Sequence, residues 1–229
     1  MSNIVKNTTL VNLFDLFAPH SCRGCGRLGT PLCDCCKKNI LAQNSNFCPC
    51  CKKSKTTGKC PKCQNLPPTY FIDARYGLLD TLIHDFKYQS VRALSPIFAD
   101  LLNSRLPKIP NPIFIIPLPT ATNHIRARGF DHTLSIAKHF AKLRHAKVLP
   151  FFLRTNNTVQ VGANRQIRLT QAEQAFTINP KIKINQKATY ILFDDVWTTG
   201  ASMQTAIKKL RQAGASNIVI ALLAVSRLD

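Results

Sequence analysis

The chain has 229 residues, with 31 lysines and arginines against 11 aspartates and glutamates, a formal net charge of +20. That length suits one medium domain and one small one, and the larger part is long enough to bury a substantial core. No apolar run reaches the roughly 18 residues of a membrane span, and the first twenty residues, with Lys6 as their only basic side chain, do not read as a secretory signal. A cytoplasmic setting follows, in which the ten cysteines suit metal ligands or free thiols better than disulfides. The basic excess attracts polyanions, of which nucleic acid is the commonest. Its lysines and arginines are scattered and form no low-complexity arm.

Ile4, Val5, Leu10, Leu13, Phe14, Leu16 and Phe17 recur at roughly helical spacing until Pro19, which predicts a short helical segment within residues 1–20. The cysteines follow in pairs: Cys22 and Cys25, Cys33 and Cys36, Cys48 and Cys51, Cys60 and Cys63. Seven residues separate Cys25 from Cys33 and eight separate Cys51 from Cys60, so residues 21–66 read as a repeated two-knuckle unit. Each C-x-x-C turn aims two thiolates at one ion, and two turns complete a closed tetrahedral site. Eight ligands imply two structural zinc ions. The repeat pairs Cys22, Cys25, Cys33 and Cys36 on one ion, while a crossed arrangement of alternate pairs is also allowed. Cys35 and Cys50 are left over and read as free thiols. So small a segment has little core of its own, and metal binding would supply most of its folding energy.

Pro67-Pro68 marks a boundary, and residues 69–229 alternate strand and helix patterns. Strands are expected over 71–76, 113–116, 148–153, 188–193 and 217–225. Helices are expected to end near Lys87-Tyr88 and to span 92–105, 130–143 and 203–213, with a polar loop over 155–168. Strands separated by helices indicate an α/β fold with a parallel sheet and a ligand site at the carboxyl ends of its strands.

Tyr190 to Ser202 reads Y-I-L-F-D-D-V-W-T-T-G-A-S. A buried strand is expected to end at the acid pair Asp194 and Asp195 and to give way to a loop that opens a helix. Thr198, Thr199 and Ser202 offer hydroxyls, Gly200 lets the backbone approach a ligand, and the helix N-terminus favours a phosphate. Two acids beside an anion site can accept hydrogen bonds from a sugar diol or help to hold Mg²⁺.

The stretch resembles the PRPP-binding signature of type I phosphoribosyltransferases. In that family the acids grip the ribose hydroxyls and the loop wraps the 5′-phosphate, which implies a site of Asp194, Asp195, Val196, Thr198, Thr199, Gly200, Ala201 and Ser202. With the paired knuckles, F-K-Y near residue 87, I-P-L-P-T at 116–120, R-A-R-G-F-D-H at 126–132 and an arginine-rich loop closing at Ala175-Phe176, the chain resembles the ComF family of competence proteins from about Cys22 to Val225. The resemblance implies a small N-terminal double zinc ribbon on a type I phosphoribosyltransferase-like domain. It also implies the handling of incoming single-stranded DNA during natural transformation, beside a helicase or another uptake protein. Candidates for pyrophosphate or nucleic-acid contacts are Lys87, Pro119, Thr120, Arg126, Arg128, Arg154, Arg165 and Arg168, because neutralising such a ligand takes several converging cations. Tyr88, Phe130 and Trp197 are candidate base-stacking aromatics.

Two departures stand out. Residues 117–123 carry neither glycine nor cation where type I enzymes have a flexible pyrophosphate loop, and the family's Arg-Gly-Phe-Asn-Gln is here Arg128-Gly129-Phe130-Asp131-His132. Both weigh against turnover more than against phosphate binding. The expected function is therefore a competence protein with a retained PRPP pocket. The alternative is an active transferase that uses PRPP and Mg²⁺ on an amine or base, and no catalytic residue is assigned.

Overall fold

A computed structural model describes residues 20–43, 46–53, 59–155 and 174–226. The expected helix within residues 1–20 lies outside them, as do Arg165 and Arg168. In chain order the elements are α1 (Asp34–Ala42), β1 (Thr69–Ala74), α2 (Gly77–Tyr88), α3 (Leu94–Arg105), β2 (Ile113–Pro117), α4 (Thr122–Arg128), α5 (His132–Leu143), β3 (Lys147–Val148), β4 (Phe152–Arg154), β5 (Phe176–Ile178), β6 (Thr189–Trp197), α6 (Ala201–Gln212) and β7 (Asn217–Val225).

Five strands form the parallel sheet, in the order β1-β7-β6-β2-β3. The central β6 and β7 are apolar runs because helices cover both faces. Side chains alternate across them. Ile191 and Phe193 join the apolar cluster of α2, α3 and α5, while Tyr190 and Leu192 join that of α6 and the β4–β5 hairpin. From β2 the chain passes through α5 outward to β3, and from β6 it passes through α6 outward to β7. These crossovers leave in opposite directions on opposite faces, so a crevice opens at the carboxyl ends of β2 and β6.

Two sequence expectations change, and one further stretch gains an element. The strand expected to stop at Phe193 runs on through both acids to Trp197, paired with β7 as far as Trp197↔Val225. The strand expected over 148–153 is two pieces. Pro150 has no N–H for the ladder, so β3 ends at Val148 and β4 turns away to pair antiparallel with β5. The stretch 122–128, to which the sequence pattern assigns no element, is the short helix α4, closed by Gly129 in the left-handed region at φ 72°.

The cysteine segment shows its repeat in the backbone. Cys22 N–H donates to Arg27 O and Gly26 N–H to Cys22 O, each at 2.8 Å. Cys48 N–H donates in the same way to Lys53 O at 2.8 Å, and Lys52 N–H to Cys48 O at 2.9 Å. The two units pack on opposite faces of the sheet beside its edge strand β1. The first, with Cys22, Leu32, Cys36 and Ile40, belongs to the cluster of α2 and α3. The second sends Phe47 against Phe71, with ring centroids 5.0 Å apart, into the cluster of α6.

Polar ties reinforce the first unit. Arg23 Nε meets Asp85 Oδ2 at 2.5 Å, and Lys37 pairs with Asp100. Arg105 donates to Ile72 O at 3.1 Å, to Ile40 O at 3.3 Å and to Gln43 O at 2.8 Å, so one guanidinium binds the end of α1 to β1. Arg105→Met keeps the apolar stem but removes all three of these hydrogen bonds. Chemical denaturation is expected to show a loss of about 2 kcal/mol, and unchanged stability would show that this clamp does not hold the unit.

Candidate ligand crevice and four-cysteine centres

The loop after β6 is shaped by a close approach. Gly200 has φ 78°, and a Cβ there would lie 2.3 Å from Cζ2 of Trp197. Only glycine fits over that ring. Trp197 is thereby buried beneath the loop, which removes it from the candidate stacking aromatics. Gly200 is also the N-cap of α6, and its own lack of a side chain leaves it without a side-chain cap. Ala201 N–H reaches Thr199 Oγ1 only at 3.4 Å. The first-turn N–H groups, the positive helix end and the exposed hydroxyls of Thr198, Thr199 and Ser202 therefore border one small cleft.

Val196, Ala201 and Leu222 complete its lining with Asp194, and its volume is about 50 Å³. A water molecule takes roughly 30 Å³ of the liquid, so the cleft admits a group of phosphate size, and anything larger would extend past Asp194 into the crevice.

The two acids do not act together. Asp194 lines the cleft, whereas Asp195, one residue on, turns to the other face. There Lys87 Nζ meets Asp195 Oδ2 at 2.5 Å and His132 Nε2 meets the same oxygen at 2.7 Å. Arg128 Nη1 lies 3.0 Å from His132 Nδ1. A guanidinium can only donate, so Nδ1 accepts and Nε2 carries the proton given to Asp195. Asp131 caps α5 through Leu134 N–H at 3.0 Å and accepts from Thr120 Oγ1 at 3.0 Å. Asp131 and His132 stand out in the sequence only as departures from the family pattern. In the structure they fix α5 and hold the inner acid.

Burial, and then the neighbouring Asp195 carboxylate, push the Asp194 carboxyl up to about 8. Burial acts in the same direction on Asp195, but the hydrogen bond from His132 and the Lys87 ammonium outweigh it and hold that carboxyl well below the usual range. At neutral pH the pair carries one proton, on the outer acid.

The remaining candidates divide. Burial, then the charges of Arg128, His132, Arg154 and Lys87, lower the basicity of His124 on α4, so all four lie within electrostatic reach of it. Arg126 is exposed on α4. Pro119 lies in the turn after β2, and the Thr120 hydroxyl is engaged by Asp131. Tyr88 is 62 % exposed, with the Arg128 guanidinium 5.4 Å from its ring centre. Phe130 packs edge-on against Phe86 at 5.3 Å and is partly buried.

Away from the crevice, Cys22, Cys25, Cys33 and Cys36 bring their sulfurs within 4.8 Å of one another, as do Cys48, Cys51, Cys60 and Cys63. Tetrahedral zinc with bonds of about 2.3 Å sets sulfurs about 3.8 Å apart, so each group could hold a zinc ion. The geometry selects the sequential sets over the crossed ones. Cys35 and Cys50 are exposed and belong to neither group.

A parallel α/β sheet with a hydroxyl-rich loop at its switch point, clasped by two four-cysteine units, is the class of protein these features define. No family model matches the chain. Over 193 residues it is 24% identical to the competence protein ComFC of Streptococcus pneumoniae (strain ATCC BAA-255 / R6), a match that covers 82% of this chain and 84% of the relative. This similarity and the two cysteine groups, which fit a double zinc ribbon, together support placing the chain in the ComF family. Among the described residues no helix is long and apolar enough to cross a membrane.

The cysteine sets make a direct test possible. In Cys22→Ser with Cys36→Ser, zinc content measured by metal analysis should fall from two ions per chain to one. Crossed sets would lose both.

Proposed function

We propose that the chain is a competence protein that handles incoming single-stranded DNA in the cytoplasm and keeps a phosphoribosyl-binding crevice whose ligand is PRPP or a close relative. The observation that carries the crevice assignment is the phosphate-sized cleft at the uncapped start of α6, with one carboxylate at its rim. The 5′-phosphate would occupy the Thr198–Ser202 loop and the ribose hydroxyls would lie against Asp194. Lys87, Arg128 and Arg154, whose charges all act on His124, are the cations that would meet a pyrophosphate. Mg²⁺ carried with PRPP would supply charge neutralisation beside Asp194. The competence role is supported by the similarity to the streptococcal protein, and a helicase or another uptake protein is the partner such a role calls for.

Binding is favoured over turnover by the stretch after β2. Leu118 N–H is tied to Phe193 O at 2.8 Å and Thr120 to Asp131, so this stretch is held and is not free to close over a leaving group. The transferase reading draws on the cations gathered around His124. It requires that PRPP be consumed when an amine or base is supplied.

Calorimetry with PRPP and MgCl₂ tests the crevice. The wild-type protein should bind, and Asp194→Asn should lose binding while keeping both zinc ions. An ionised Asp194 is needed beside a cation, and its proton leaves only at about 8, so affinity should rise with pH, by roughly tenfold from pH 7 to pH 9. Undiminished affinity in Asp194→Asn, or affinity that falls over that range, would refute the assignment.

A further inference from the structure

A second cleft, about 680 Å³ in volume, opens between the second four-cysteine unit and the outer side of α6. One wall is the last knuckle, with Lys62, Gln64 and Asn65. The other is α6, with Lys208 and Arg211, and Leu66 and Ile207 form an apolar floor. Its volume falls within the roughly 300–1,000 Å³ typical of ligand sites.

The lining contains three cations and several amides but no carboxylate. Five of the chain's eleven acids are engaged elsewhere. Asp85 is paired with Arg23, Asp100 with Lys37, Asp80 with Arg75 and Asp195 with Lys87, while Asp131 caps α5. None of these five faces this cleft, and among the described residues no acid lines it. Lys62 and Arg211 are both exposed, and Arg211 also holds the knuckle in place through Asn65 O at 2.9 Å.

We infer that this cleft is the seat of a single-stranded nucleic acid, with Lys62, Lys208 and Arg211 on its phosphates and the Leu66–Ile207 floor and neighbouring amides against its bases. A single strand suits the trough because it offers base faces and edges that a duplex keeps stacked and paired. The inference rests on the reading that the chain handles single strands, and it assigns the surface. Because α6 begins at the phosphate loop and ends at this cleft, the same helix borders both ligands.

The test is fluorescence anisotropy with a labelled oligo-dT and the zinc-loaded full chain, over a range of salt. Lys62→Glu should weaken binding about tenfold or more and flatten the salt dependence by about 0.7 for each phosphate that the chain no longer neutralises. Lys62→Glu with Arg211→Glu should weaken it further, and Arg211→Lys should bind nearly as wild type. If the wild-type chain binds no oligonucleotide, the single-strand reading fails and the cleft assignment with it. If it binds and both Lys62 variants, folded and carrying two zinc ions, match it in affinity and salt slope, only the cleft assignment fails. Unchanged oligonucleotide binding with lost binding of polyglutamate would make the cleft a dock for an acidic protein and would also overturn the proposal.

Discussion

The carboxylate of Asp195 lies buried between the Lys87 ammonium at the end of α2 and His132 at the start of α5, and this contact ties the carboxyl end of β6 to both helices on one face of the sheet. A charge so far out of water persists only with partners, and removing one of them leaves the other uncompensated. Lys87 and His132 stay in place because the anion is there, and Arg128 is aligned in turn through the far nitrogen of the imidazole. The crevice wall is therefore an electrostatic construction around one inward acid. Its outward neighbour, Asp194, lines the cleft at the start of α6 instead.

The two cysteine units fit the same scheme from the opposite edge of the sheet. Neither has enough apolar residues for a core of its own, so each borrows one. The first shares the cluster of α2 and α3, and the second shares that of α6. Binding of a metal by each group would then stabilise both faces at β1 as well as the knuckles themselves. The cleft beside α6 exists because the second unit stands against that helix. The second four-cysteine unit, the Thr198–Ser202 loop and the basic cleft are in this way joined through one secondary-structure element.

Much of this was legible in the residues. The apolar runs at 113–116, 188–193 and 217–225 announced buried parallel strands, and the four C-x-x-C pairs announced two four-cysteine groups. The limit of β6 was not legible, because two adjacent acids resemble a strand end. Yet alternation can send one acid to each face while the ladder with β7 continues. Pro150 was a visible break between β3 and β4 that a run of apolar neighbours obscured. The role of His132 was also hidden, since only the fold brings residue 132 to residue 195. Its one signal was an imidazole at a position where the family carries glutamine. Trp197 was one of three aromatics that could have formed a stacking surface, and Gly200 instead shows that the ring supports the loop from below.

The most direct measurement is thermal and chemical unfolding of Asp194→Asn and Asp195→Asn side by side at pH 7.5. Asp195→Asn leaves Lys87 buried without its anion and should cost about 3–5 kcal/mol. Asp194→Asn replaces a carboxyl that is already largely protonated and should unfold like the wild type or slightly above it. Equal losses in the two variants, or a larger loss in Asp194→Asn, would contradict the division of the pair into a structural acid and a ligand-facing one.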